Sequence, residues 1–223
     1  MSEPERDAAV GGDLPLKIVL TGGPGAGKTT VVTQLATAPE WADWRDEIGG
    51  VTAVPEAATQ AYAARNTRWD RLDDTGRRDV QRAIYELQVE QEARLAEAAR
   101  AAGHRVLLLD RGTIDGSAYW PDGPVAYWQA LGSELADELA RYAGVILLET
   151  AAAIGAYDGD ATNAVRFEDA DGAIESGRQL DRLWELHPHR TCVEAAQDFR
   201  DKVSQGAAAI GALLRAIEAK KGR

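Results

Sequence analysis

The sequence predicts an α/β fold in which a mainly parallel sheet lies between two layers of helices. Short apolar runs alternate with longer helical stretches, and this alternation is typical of βαβ units. Two of the runs end in polar residues, one in a glycine-rich turn and the other, Val106–Leu109, in an aspartate and an arginine. Because the carboxyl ends of parallel strands line one crevice, we expect both groups at a common site.

The strands are predicted from apolar or β-branched runs that are too short for helices. The first is Leu16–Leu20, and the second, Val51–Val54, precedes a proline. Val106–Leu109 and Val145–Leu148 are continuous apolar runs, which indicates strands covered on both faces. A last short strand is predicted near Thr191–Val193.

Helical periodicity predicts helices between and after these strands. We expect them at Gly27–Ala38, about Thr75 to Ala102, Val125–Tyr142, Ala173–Leu186 and about Asp198 to Ala219. The segment from Ala151 to Gly172 is rich in glycine, aspartate and alanine without a clear period, so it is predicted to be a mobile loop or lid. We expect one domain from residue 15 to residue 223, after a disordered acidic tail at residues 1–14.

Composition restricts the classes of partner. The formal net charge of −11 argues against a nucleic-acid-binding protein, because phosphate backbones bind basic surfaces. Cys192 is the one cysteine, which fits a reducing compartment and predicts a cytoplasmic protein. The acidic first residues do not resemble a signal peptide, and no apolar run has the roughly 20 residues of a membrane span, so no membrane contact is expected. The oligomeric state is not readable from the sequence.

The glycine-rich turn matches the Walker A motif, G-x-x-x-x-G-K-[ST], between a predicted strand and a predicted helix. Glycines allow the backbone N–H groups to surround phosphate oxygens, and the helix N-terminus adds a favourable dipole. Lys28 should contact the β- and γ-phosphates of ATP, and the Thr29 hydroxyl should ligate Mg²⁺. The predicted nucleotide-binding residues are Gly22, Gly23, Pro24, Gly25, Ala26, Gly27, Lys28, Thr29 and Thr30.

The polar residues after Val106–Leu109 have two interpretations each. Asp110 could cap a helix or hold Mg²⁺, and its pairing with a phosphate loop favours the metal role. Arg111 could bind a phosphate or carboxylate group, or it could simply pair with Asp110 or Asp115.

Further motifs occur in a characteristic order: Val54-Pro55-Glu56-Ala57-Ala58, Asp110-Arg111-Gly112-x-x-Asp115-x-x-Ala118-Tyr119 and Asn163-x-x-Arg166-x-Glu168. Together with the Walker A motif, they resemble a P-loop kinase-like family of small ATP-binding proteins. That family is related to the ribosylnicotinamide kinase domain and more distantly to deoxynucleoside and thymidylate kinases. The resemblance covers about Lys17 to Leu214. It implies a three-layer P-loop NTPase fold with a five-stranded parallel sheet and a lid, and phosphoryl transfer to a small acceptor.

The resemblance also implies roles for single residues. Glu56 would accept the proton of the acceptor hydroxyl, although it could merely be a favourable charge at a helix N-terminus. Arg111 would contact the acceptor or the transferred phosphoryl group, and Arg166 would close on the triphosphate from the lid. Asp115 would bind an acceptor hydroxyl or lock Arg111, and Tyr119 would lie on the acceptor side.

These observations predict an ATP-dependent, Mg²⁺-dependent kinase, with Lys28, Glu56, Arg111 and Arg166 as its catalytic residues. The acceptor could be a nucleoside, a nucleotide-like molecule or another metabolite with a hydroxyl group. Trp69 could stack on an aromatic acceptor, but core packing is the commoner role of tryptophan. A nucleotide-binding regulatory switch and a partner-stimulated ATPase are the alternatives.

Overall fold

The computed structural model describes residues 14–156 and 169–221. The predicted acidic tail up to residue 13 and most of the predicted lid therefore lie outside the described residues. The same holds for Asn163 and Glu168 of the last motif and for Arg166, whose predicted role as the lid arginine remains a prediction.

The sheet has five parallel strands in the order β2-β3-β1-β4-β5. The strands are β1 (Leu16–Thr21), β2 (Val51–Val54), β3 (Val106–Asp110), β4 (Gly144–Leu148) and β5 (Arg190–Val193). All five were predicted, and their ends differ from the predicted ones by one residue at most. The parallel α/β fold is confirmed.

Eight α-helices connect or follow the strands within the described ranges. They are α1 (Lys28–Thr37), α2 (Ala42–Ile48), α3 (Ala57–Ala64), α4 (Asp74–Ala101), α5 (Gly123–Leu131), α6 (Leu135–Ala140), α7 (Ala170–Trp184) and α8 (Phe199–Lys221). Short 3-10 segments lie at Pro39–Trp41, Trp69–Arg71, Thr113–Tyr119 and Ala151–Ile154. None of these helices is long and apolar enough to cross a membrane.

Two predicted boundaries were wrong. The single helix expected over Val125–Tyr142 is two helices, because Gly132 ends α5 in the left-handed region at φ 66°. The predicted lid extends to Gly172, but α7 already begins at Ala170. The Asp169 side chain caps this helix by accepting a hydrogen bond from the Gly172 N–H. Both ends of the predicted lid are therefore helical.

The helices cover both faces of the sheet, which gives the predicted three layers. Ile18 and Leu20 of β1 pack against α1, α2 and α8 on one face, and Val19 packs against α4, α5 and α7 on the other. This alternation follows from the two-residue repeat of a strand. Each fully buried Leu or Ile contributes about 1.5–3 kcal/mol to folding. The central strands are thus a rigid base for the residues at their carboxyl ends.

Candidate nucleotide-binding site and adjoining cavity

The candidate site lies where β1, β2 and β3 end beside one another. The register pairs Leu20 of β1 with Asp110 of β3, and Val54 of β2 with Leu109 of β3. The glycine-rich loop after β1, Glu56 after β2 and the Asp110-Arg111 pair after β3 therefore meet at one edge of the sheet. This is the crevice that the sequence predicts.

The glycine-rich loop has the conformation and the open helix end that an anion site needs. Gly22, Gly25 and Gly27 have φ values of 136°, 73° and 80°, which favour glycine. The N-terminus of α1 has no side-chain cap and no acidic residue in its first turn. Because no side chain caps this end of the helix, its first N–H groups are available to phosphate oxygens.

Neighbouring elements fix the shape of the loop. A Cβ on Gly22 would lie 2.1 Å from the carbonyl oxygen of Leu148, at the end of β4. The Thr150 hydroxyl, just beyond β4, donates to the carbonyl of Pro24 at 2.6 Å. The loop conformation is therefore held by the protein itself, before any ligand binds.

Lys28 is buried at the centre of this loop, with 7% of its surface exposed. Its ammonium group donates to the carbonyls of Gly22 at 2.8 Å and Gly23 at 3.0 Å. Burial, and after it the charge of Arg111, lowers the pKa of Lys28 to about 8. The hydrogen bonds of the Lys28 ammonium group thus go to carbonyl oxygens rather than to carboxylates, which suits it to bind a polyphosphate.

Thr29 and Asp110 form an all-oxygen pair beside Lys28. The Thr29 hydroxyl donates to Asp110 Oδ2 at 2.5 Å, whereas the buried Oδ1 of Asp110 has no hydrogen-bond partner. Burial, followed by repulsion from Glu56, raises the pKa of Asp110 to about 6. A hydroxyl and a carboxylate oxygen that lacks a partner are ligands that Mg²⁺ prefers. The residues therefore fit the predicted magnesium site.

Arg111 and Glu56 form an ion pair at the carboxyl ends of β3 and β2. Arg111 Nε donates to Glu56 Oε1 at 2.7 Å, and the Thr59 hydroxyl donates to Glu56 Oε2 at 2.6 Å. Burial alone would raise the pKa of Glu56, but the charges of Arg111 and Lys28 and these hydrogen bonds outweigh it, so the pKa lies below its ordinary value. Glu56 is therefore a carboxylate at neutral pH.

Asp115 holds Arg111 from the other side. Its Oδ2 accepts hydrogen bonds from Arg111 at 3.1 Å and from the Thr21 hydroxyl at 2.7 Å, and its Oδ1 accepts one from Trp184 Nε1 at 2.8 Å. Only 2% of Asp115 is exposed. Of the two roles expected for Asp115, these contacts favour locking Arg111 over binding an acceptor.

The backbone of Arg111 is also unusual. Its φ of 76° is in the left-handed region, where residues other than glycine are uncommon and strained by about 1 kcal/mol or more. Gln88 Nε2 donates to the Arg111 carbonyl at 3.3 Å and to Glu92 Oε1 at 3.1 Å. Gln88 was not predicted as a site residue, although it recurs with Gln81 and Glu92 at helical spacing on the buried side of α4.

An open cavity adjoins the phosphate loop. The loop, α3, α4 and the Thr113–Tyr119 segment form its walls, and Lys28, Glu56 and Arg111 line one end. Tyr119 lines the wall as expected, and its ring meets that of Trp69 edge to face at 5.9 Å between centroids. Several other lining residues were not predicted from the sequence: Tyr62, Gln81, Ile84, Tyr85 and Gln88.

Comparison with known proteins supports the coarser part of this interpretation. A family model described as an AAA domain matches residues 17–202, a span that includes the phosphate loop, Asp110, Arg111 and the cavity. No curated protein matches the chain. P-loop NTPases typically bind a nucleotide and Mg²⁺. The family model does not test the narrower resemblance to ribosylnicotinamide and nucleoside kinases, which stays a prediction. The chain belongs to the AAA domain family, one of the families of P-loop NTPases.

Proposed function

We propose that this protein is an ATP-dependent phosphotransferase that acts on a hydroxyl group of a small molecule. The observation that carries the proposal is the position of the Glu56–Arg111 ion pair, which lines the same cavity as Lys28 of the phosphate loop. A simple nucleotide hydrolase needs space for a water molecule only. The cavity here continues well beyond that space, along α3 and α4.

The phosphate loop would hold the triphosphate through its N–H groups and Lys28. Thr29 and Asp110 would hold Mg²⁺, which neutralises negative charge on the phosphates when it is bound. The hydrogen bonds of Lys28 to Gly22 and Gly23 keep the ammonium group in place until the anion arrives. This arrangement preorganises positive charge where negative charge develops.

Glu56 would act as the general base. Its ionised carboxylate accepts a hydrogen bond from the acceptor hydroxyl and takes its proton as the oxygen attacks the γ-phosphorus. The bond from the acceptor oxygen to phosphorus forms, the bond between the β–γ bridging oxygen and phosphorus breaks, and ADP leaves. Arg111 would orient Glu56 and stabilise the phosphoryl group in transit, and Asp115 would hold Arg111. We retain Arg166 as the proposed lid arginine and Tyr119 as an acceptor contact.

The test is ATP consumption by the purified protein with and without a panel of hydroxyl-bearing metabolites. One class of acceptor should stimulate turnover and appear as a phosphorylated product. Glu56→Gln should lower that stimulated rate by about 100-fold, which is the usual loss on removal of a general base. Glu90→Gln, a change of an exposed glutamate on α4, is the matched control and should leave the rate unchanged.

The AAA domain match favours a second candidate, an ATPase or nucleotide switch without a small acceptor. The same assay separates the candidates. Slow hydrolysis that is indifferent to every acceptor and to Glu56→Gln would contradict the kinase and support a switch. Stimulation by another protein alone would support a coupled ATPase.

A further inference from the structure

Trp184 is the last residue of α7, and it joins this helix to the candidate site. Its side chain is fully buried, and its indole Nε1 donates to Asp115 Oδ1 at 2.8 Å. The other oxygen of the same carboxylate, Oδ2, accepts the hydrogen bond from Arg111. The three side chains therefore form a continuous chain, in which Trp184 holds the carboxylate that holds the guanidinium group.

Trp184 also contacts the backbone beside Arg111. A Cβ on Gly112 would lie 3.0 Å from the indole ring of Trp184 and 3.1 Å from a methyl group of Val19 in β1. The left-handed backbone of Arg111 is strained, and such a conformation persists only where the surrounding structure fixes it. The indole ring and β1 enclose the residue that follows Arg111, and they therefore restrict the conformation of this turn.

The same face of α7 packs against the phosphate loop. The carbonyl group of Ala173 and the backbone of Gly177 lie against Gly23 of the loop. Ala173, Gly177 and Trp184 follow one another at the spacing i, i+4 and i+11, which places them on one face of a helix. Ala173 and Trp184 lie about 16 Å apart along the helix axis, at a rise of 1.5 Å per residue. One helix thus contacts the phosphate loop near its start and the partner of Arg111 at its end.

From these contacts, we infer that Trp184 is a positioning residue for phosphoryl transfer. By holding Asp115 and packing on Gly112, it keeps the Arg111 guanidinium group beside the phosphate loop, where Arg111 Nη1 already lies 3.5 Å from the carbonyl oxygen of Gly22. Trp184 does not line the cavity, so it acts through Asp115 and Arg111 rather than on a ligand. The inference rests on the role of Arg111 in the proposed function.

Core packing is the alternative role of a buried tryptophan. Trp184 does pack in the core, since its ring meets that of Tyr142 at 5.5 Å between centroids. Trp128 offers a comparison, because it is buried in the same apolar layer and meets Tyr127 at 4.7 Å between centroids. Replacement of either tryptophan by phenylalanine removes aromatic surface from this layer. Of the two changes, only Trp184→Phe removes the hydrogen bond to Asp115.

The test is the steady-state turnover of ATP, measured with the most stimulating acceptor and without an acceptor. Trp184→Phe should lower kcat by about tenfold, because a small displacement of a group that acts in the transition state slows the reaction. The KM for ATP and the calorimetric Kd for Mg·ATP should stay within about twofold, since the phosphate loop is unchanged. Trp128→Phe is the matched control, which should lower the free energy of unfolding but leave kcat unchanged.

A double variant separates positioning from a general loss of structure. Asp115→Asn weakens the same contact with Arg111, so it should also lower kcat by about tenfold. If Trp184 acts through Asp115, the double variant should be no slower than Asp115→Asn alone, because residues of one network are not additive. A further tenfold loss, about the product of two independent effects, would overturn the inference. Should Trp184→Phe fail to fold, an analogue of Trp184 with sulfur in place of the indole N–H keeps the ring shape and should give the same loss of kcat.

The remaining outcomes separate this inference from the proposed function. Unchanged kcat in Trp184→Phe, an equal loss of kcat in Trp128→Phe, or a loss of Mg·ATP affinity as large as the loss of kcat would overturn the inference and leave the kinase intact. Stimulation by no acceptor would contradict the kinase, and the variants compared by their basal ATP hydrolysis would then decide the role of Trp184. Absence of any ATP turnover in the wild type would overturn both.

Discussion

Two clusters of buried charge differ in what their carboxylates contact. The phosphate-end cluster consists of Lys28, Glu56, Asp110, Arg111 and Asp115. The α4 cluster joins β1, α4, α6 and the residue that follows α6: Lys17, Glu92, Glu138 and Arg141. Both place several ionisable groups out of water, so burial alone does not tell them apart.

The carboxylates of the α4 cluster are saturated. Glu92, which is fully buried, accepts hydrogen bonds from Lys17, Arg141, Tyr142 and Gln88 at 2.8–3.1 Å. Glu138 accepts from three hydroxyl groups at 2.6–2.7 Å, those of Tyr85, Thr113 and Ser133. In that cluster, among the described residues, only Arg141 Nε lacks a good hydrogen bond, and it remains 3.4 Å from Glu138.

The phosphate-end cluster keeps binding capacity. Asp110 Oδ1 has no partner, and Lys28 contacts carbonyl oxygens rather than carboxylates. A saturated buried network holds a fold together, whereas a buried polar atom without a partner in a native protein requires an explanation such as a ligand. The comparison assigns stability to the α4 cluster and binding to the phosphate-end cluster, and both assignments can be tested.

The largest effect is expected for Glu92→Gln. This change leaves Lys17 and Arg141 without their shared carboxylate, and removal of one partner from a buried ion pair costs about 3–5 kcal/mol. Urea unfolding should show that loss. Glu90→Gln on the exposed side of α4 should change the free energy of unfolding by less than about 0.5 kcal/mol. A loss below about 1 kcal/mol for Glu92→Gln would remove the structural role of the α4 cluster.

A pair of lysine variants should give opposite results. Lys28→Ala should weaken Mg·ATP binding by about 100-fold, because charged hydrogen bonds to phosphate contribute about 1.5–3 kcal/mol each. Lys17→Ala should leave that affinity within about twofold and should lower the free energy of unfolding, since Lys17 contacts Glu92. Calorimetry measures the affinity of both variants for Mg·ATP, and urea unfolding measures their stability. An equal loss of Mg·ATP affinity in both variants would contradict the division between the two clusters.

A pH-dependent effect of similar size should isolate Asp110. Its pKa is about 6 in the folded protein against an ordinary value of 3.8. Stability from its protonated form is therefore present below about pH 4 and is lost as the pH rises through about 6. In EDTA and without nucleotide, the wild type should lose up to about 3 kcal/mol relative to Asp110→Asn over this window. Urea midpoints at several pH values measure the difference, and parallel curves would contradict the raised pKa.

The smallest effect is expected for an ion pair outside both clusters. Arg105 contacts Glu218 at 2.6 Å, but both side chains are exposed. Arg105→Ala should lower the free energy of unfolding by less than about 1 kcal/mol, because water and salt screen such pairs. Urea unfolding of Arg105→Ala gives the reference value for Glu92→Gln. An equal loss of unfolding free energy in the two variants would mean that the buried ion pairs stabilise the fold no more than an exposed one.

The sequence predicted the phosphate-end cluster better than the cavity. The phosphate loop is a continuous motif, and Asp110 and Arg111 follow a strand that is plain from its apolar run. The ion pair between Arg111 and Glu56 spans 55 residues, so no local pattern reports it. Only the resemblance to a family pointed to Glu56.

Tyr119 and Trp69 were named from the sequence, but the rest of the cavity wall beyond Glu56 was missed for a related reason. It combines α3, α4, a 3-10 turn and the Thr113–Tyr119 segment, and their proximity depends on the strand order. One signal was present, since Gln81, Tyr85, Gln88 and Glu92 recur at intervals of three to four residues beside the apolar positions of α4. Polar residues on the buried side of a helix indicate a cavity or a polar network.

The close contact between α7 and the phosphate loop changes how the motif should be used in searches. The pattern G-x-x-x-x-G-K-[ST] leaves the position of Gly23 free. In this protein, a Cβ there would lie 2.3 Å from the carbonyl oxygen of Ala173 and 3.1 Å from the backbone nitrogen of Gly177. A search for chains that dock a helix on the loop in this way should require glycine at position 23, a residue that phosphate chemistry alone would not demand.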